Sequence, residues 1–235
     1  MLWNVLSLII SLSLADSAFY RPSHAEFQET KKIAIKIAKE YQEDKCEIIG
    51  IGRSPTVLIA FLKNLNLSNV SYLPLSEMNV FDRVQDINKY NKVFSYFDSM
   101  IPHQKKKKLV FVDFSLGGKS YLAQKTLIEA YLQAYHPEIQ YEFLALVSEV
   151  DEKLIADFNS RSITVIKLKS KAQSPYGPLL WDSMYNATYE PFAPYKSFAP
   201  WRDGEPKSNS EFEKFKLLVK SEMTKYKSLG CELIF

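Results

Sequence analysis

The sequence predicts a three-layer α/β/α fold on a mostly parallel sheet of about five strands. Three observations predict it. Short, strongly apolar runs recur at Glu47–Gly52, Val70–Leu75, Leu109–Asp113, Tyr141–Val147 and Ile163–Leu168. Segments with helical apolar spacing separate them, which is the alternation that parallel neighbours need for their crossovers. The runs are also nearly continuous in apolar residues rather than alternating, as in strands covered on both faces. With 235 residues, 46% hydrophobic and 24% charged, the chain can bury one large core and carry an appendage.

The chain opens on an apolar run, Leu2 to Leu14, broken by Asn4, Ser7, Ser11 and Ser13 and followed by small residues. This reads as a signal peptide over residues 1–18, although a basic leading segment is missing, and it implies export to a periplasm or a secreted state. The alternative is a buried N-terminal helix. The run falls short of the ~20 apolar residues of a membrane span, and no later segment approaches that length, so no span is expected after leader cleavage.

The α/β domain is expected over residues 19–170. Ser23-His-Ala-Glu26 has the form of a capping box, and Phe27, Ile33, Ala34, Ile37, Ala38 and Tyr41 follow at helical spacing, predicting a helix over 24–43. The Glu47–Gly52 strand ends in glycine, and Pro55–Leu65 resumes a helical pattern with proline in the first turn. After the Val70–Leu75 strand, Ser76–Arg83 reads as loop and Val84–Met100 as a helix with Tyr90, Phe94 and Phe97 on one face. Lys105–Lys108 precede the Leu109–Asp113 strand as a solvated entrance. Helices over Tyr121–Tyr135 and Asp151–Phe158 complete the alternation.

Residues 171–235 differ. Six prolines punctuate an aromatic-rich stretch up to Ser210 that has no sustained period, and such aromatic density predicts an ordered arm on the domain rather than a disordered tail. Its residues Tyr176, Trp181 and Tyr185 are read as packing groups, with a stacking platform for a ligand as the sharper alternative. Glu211–Tyr226 reads as a closing amphipathic helix.

Composition narrows the partners. A formal charge of +3, with 27 acidic residues among 30 basic ones, gives no basic face for nucleic acid. His24, His103 and His136 are far apart and lack carboxylate or cysteine neighbours at ligand spacing, so no metal site is expected. Cys46 and Cys231 are either inert core thiols or, in an exported protein, one disulfide.

Two loops carry the chemistry. In parallel sheets ligands bind beyond the carboxyl ends of strands, where helix N-termini offer free N–H groups and a positive dipole end. The first loop, Gly50-Ile-Gly-Arg-Ser-Pro-Thr56, supplies Arg53 as a bidentate donor and Ser54 and Thr56 as hydroxyls. The second, Asp113-Phe-Ser-Leu-Gly-Gly-Lys-Ser120, supplies Ser115 and Ser120 as donors, Gly117 and Gly118 for a tight turn, and Lys119 as a cation. It is not the phosphate loop of NTPases, because Asp113 stands where that motif requires its first glycine.

Order and position of these loops resemble the phosphoribosyltransferase family over residues 24–170. Ile49–Ala60 is similar to that family's pyrophosphate loop and following helix, and Leu109–Leu122 to its later strand, acidic pair, phosphate loop and helix. The resemblance implies that Arg53 and the Ser115–Ser120 loop hold phosphates and that Asp113 contacts a sugar hydroxyl or a metal-bound water. This chain departs from the pattern: Phe114 follows Asp113 where the family has a second acid, and Lys119 replaces a small hydroxyl residue. Losing a carboxylate and gaining a cation favours a bare anionic group over a ribose diol with Mg²⁺. The expectation is therefore an exported protein that binds a small phosphorylated or anionic ligand, with a protein partner as a further possibility. The alternative is an active glycosyl- or phosphoribosyl-type transferase with an altered substrate, and Mg²⁺ enters only with that catalytic reading.

Overall fold

A computed structural model of the chain describes residues 23–75, 87–102, 107–171, 174–178 and the helical positions 217, 220, 221 and 224. The leader, the Ser76–Arg83 loop, Cys231 and most of the aromatic arm and closing helix lie outside the described residues.

The elements alternate as expected. They are α1 (His24–Glu40), β1 (Cys46–Ile51), α2 (Thr56–Asn64), β2 (Val70–Leu73), α3 (Ile87–Met100), β3 (Lys108–Phe114), α4 (Lys119–Tyr135), β4 (Tyr141–Ser148), α5 (Glu152–Ser160) and β5 (Thr164–Leu168). A short antiparallel pair, β6 (Ser170–Lys171) and β7 (Ser174–Pro178), opens the arm. The capping box forms as read: the Glu26 amide donates to Ser23 Oγ at 3.3 Å and the Ser23 amide to Glu26 Oε2 at 2.7 Å. Helix α1 stops at Glu40 rather than running to 43, because Tyr41 leaves helical geometry and donates its hydroxyl to Glu142 at 2.9 Å.

The five main strands form one parallel sheet in the order β2-β1-β3-β4-β5. Its two faces are distinct cores. One packs α1 and α2 against Ile48, Val110, Val112, Leu144 and Leu146. The other packs α3, α4 and α5 against Ile49, Ile51, Phe111, Phe143 and Ala145. Successive residues of β3 alternate between them, as strand geometry demands. That alternation turns Asp113 towards the face of α4, between Val112 and Phe114 of the opposite core.

At the other end of the strands, ionic contacts knit the sheet. Lys107 pairs with Glu47 at 3.0 Å, and Lys108 pairs with Glu142. The described half of the lysine run thus belongs to the strand entrances, away from the loops that follow β1 and β3. Cys46 is a buried free thiol.

Candidate functional site

The strand order creates the site. From β1 the chain steps out to β2, then crosses back to β3 on the other side of β1, so β1 and β3 are neighbours whose following helices leave towards opposite faces. This is a topological switch point, the place where sheets of this kind form a ligand crevice at the carboxyl ends of the strands. Both loops singled out in the sequence lie there.

Each loop is shaped by its own side chains. In the first, Gly52 takes a left-handed φ of 71° and its amide donates to the Leu73 carbonyl at 3.1 Å, fixing the turn out of β1. Thr56 is buried, and its hydroxyl donates to the Arg53 carbonyl at 2.5 Å. In the second, the Ser115 amide donates to Leu146 at 3.0 Å and Ser115 Oγ accepts the Gly118 amide at 3.2 Å. Gly118 caps α4 with a φ of 75°. A side chain there would be strained by that φ and would meet Leu154 Cδ1 at 2.8 Å. Thr56 and Ser115 are therefore loop-forming hydroxyls. Arg53 and Ser54 are half-buried, and Gly117, Lys119 and Ser120 are exposed at the crevice.

Because helix α4 begins at Lys119, two residues before the apolar spacing starts, Lys119 and Ser120 occupy its first turn. The Lys119 amide donates to Gly117 at 2.9 Å. Gly118 has no side chain to cap the turn, so among the described residues no side chain caps the first-turn amides of Ser120 and Tyr121. Their partial positive charge, with Lys119 beside it, suits an oxyanion.

Asp113 opens the second loop. It is buried, accepts the Phe114 amide at 2.7 Å, and is influenced by the Ser54 side chain of the first loop, which favours its charged form. Burial is the dominant influence and holds its carboxyl well above the usual carboxylate range, against the lowering by these two residues. No second carboxylate hydrogen bonds to it among the described residues. A single buried carboxyl whose surroundings disfavour its ionised form is a poor fit for a magnesium ion, which binds ionised carboxylate and water oxygens. The described residues also hold no group of three or more His, Cys, Asp or Glu suited to a metal.

Two residues of the site were not singled out from the sequence. Tyr121 and Gln124, on the inner face of α4, are both buried. Tyr121 Oη and Gln124 Oε1 have no hydrogen-bond partner among the described residues. Burial keeps the Tyr121 hydroxyl well above its ordinary range, so it remains neutral. The available signal was a glutamine interrupting the buried stripe of Tyr121, Leu127, Ile128 and Tyr131.

Fold and site together define a doubly wound parallel α/β protein with a polar crevice at its switch point. No protein-family model matches the chain, and no curated protein is significantly similar to it.

Proposed function

We propose that this is a phosphoribosyltransferase-like protein, exported by its leader, that binds a small phosphorylated or other anionic ligand in the crevice between the β1 and β3 loops. The observation that carries the reading is the placement of the loops: they follow the neighbouring parallel strands β1 and β3, and the second runs into the N-terminus of α4, which no side chain caps. The ligand oxyanion takes the amides of Ser120 and Tyr121, with Lys119 and Arg53 supplying positive charge. A neutral Asp113 does not repel that anion, whereas an ionised one would. One charge-assisted hydrogen bond contributes roughly 1.5–3 kcal/mol and a helix terminus about 0.3–1 kcal/mol, which together support binding on the order of millimolar at the upper end and weaker otherwise.

Thermal melting of the full chain with pyrophosphate, ribose 5-phosphate and a nucleoside monophosphate tests the reading. At least one should raise the melting temperature, and Lys119→Ala should shift the half-saturation concentration upward. No response to any of them rejects it.

A second reading, an active transferase with an altered substrate, is favoured by one feature. A buried carboxyl that keeps its proton near neutrality is suited to general-acid work. Turnover of a phosphorylated sugar that Asp113→Asn abolishes would establish this reading over simple binding.

A further inference from the structure

Gln124 is the polar side chain that the anion cradle leaves unexplained. It projects from the second turn of α4, is 4% exposed, and its Oε1 has no hydrogen-bond partner among the described residues. Its Nε2 lies 3.8 Å from the point where a side chain on Gly52 would begin, so the amide faces the loop after β1. An unpaired buried oxygen costs stability that a leucine of similar volume would avoid. Tyr121, one turn earlier on the same side of the helix, adds a second buried oxygen without a partner among the described residues.

Direction completes the picture. Helical side chains lean towards the helix N-terminus and cover the preceding turn. The Gln124 side chain therefore leans back towards the first turn of α4, with its Nε2 against the loop after β1.

We propose that Gln124 is a ligand-recognition residue whose Oε1 accepts a hydrogen from a neutral O–H or N–H carried close to the ligand's anionic group. The inference rests on the anion-binding reading and sharpens it: the ligand is a small anion with an attached donor, not a bare oxyanion. Tyr121 Oη, which can both give and take a hydrogen, supports the same group.

The test compares alkyl phosphates with ω-hydroxyalkyl phosphates of equal length, short chains of roughly two to four carbons to suit one helical turn of about 5.4 Å. Isothermal titration of the full chain gives the ratio of affinities within each pair. In the unaltered protein at least one hydroxyl-bearing member should bind about tenfold more tightly than its alkyl counterpart. In Gln124→Leu that ratio should fall to near one. Gln124→Met, which keeps the unbranched shape, serves as the second variant should leucine disturb packing. A ratio near one in the unaltered protein, with the alkyl phosphate binding, overturns the role of Gln124 alone, as does a ratio that survives both variants. Failure of every phosphate to bind overturns the anion site as well.

Discussion

Ser54, in the loop after β1, acts on the buried carboxyl of Asp113 near the end of β3 and favours its ionised form against the effect of burial. Asp113 lies in β3 and Ser54 in the loop that follows its neighbour β1, and the helices after these two parallel strands leave to opposite faces. A single buried acid thus has two consequences, one for stability and one for ligand charge.

For stability, the sign is the reverse of that for most carboxylates. Asp113 has a folded-state pKa raised above the ordinary value, so above about pH 4 the folded chain keeps a proton that the unfolded chain has lost. Stability is then full below the unfolded value and declines as pH rises towards the folded one, by up to about 1.4 kcal/mol per unit. Asp113→Asn removes this dependence while keeping an acceptor for the Phe114 amide. Urea midpoints should show the variant more stable than the parent at pH 7 and the gap closing towards pH 4. A gap of equal size at both values contradicts a neutral Asp113.

Glu142 should behave oppositely. Burial raises its pKa, but hydrogen bonds from Lys108, Thr164 and Tyr41 together outweigh that and leave the carboxyl below its ordinary value. It thereby joins β3, β5 and the end of α1 to β4. Its contribution is present above the unfolded pKa and is lost as pH falls through the folded one. Glu142→Gln should lower the urea midpoint at pH 7, and the difference should shrink below about pH 4. An equal difference across that range would assign the loss to packing instead of charge.

Adjacent glycines should respond differently. Gly118 combines a φ of 75° with a side-chain direction blocked by Leu154 and Phe158, whereas nothing lies within 4 Å of the corresponding position on Gly117. Gly118→Ala should cost about 1–3 kcal/mol from strain and overpacking. Gly117→Ala should stay within about 0.5 kcal/mol, as surface changes do. Denaturant unfolding of both variants checks the contrast, and equal effects would mean that the turn into α4 differs from that described here.

Much of the fold was legible in the sequence, because both its signals are local. Apolar runs such as Leu109–Val112 and the helical spacing of Ile33, Ala34 and Ile37 report burial directly, and the α1 capping box follows from Ser23 and Glu26 alone. Element ends were harder to read. Helix α4 gains Lys119 and Ser120 because Gly118 can take a positive φ, and β2 ends at Leu73 rather than at Leu75. The strand order was not legible either, since alternation implies parallel neighbours but not which strand is central. For the same reason the sequence identified both loops but not the burial that raises the Asp113 pKa, or the oxygens of Tyr121 and Gln124 that lack a partner among the described residues. Each of those depends on what the fold packs around the residue.

The most direct test of a single anion site built from two loops is an amide NMR titration of the full chain with pyrophosphate. Resonances of Gly52, Arg53 and Ser54, and those of Gly118, Lys119, Ser120 and Tyr121, should move together with one shared midpoint. Movement of only one group, or separate midpoints for the two, would contradict a common site.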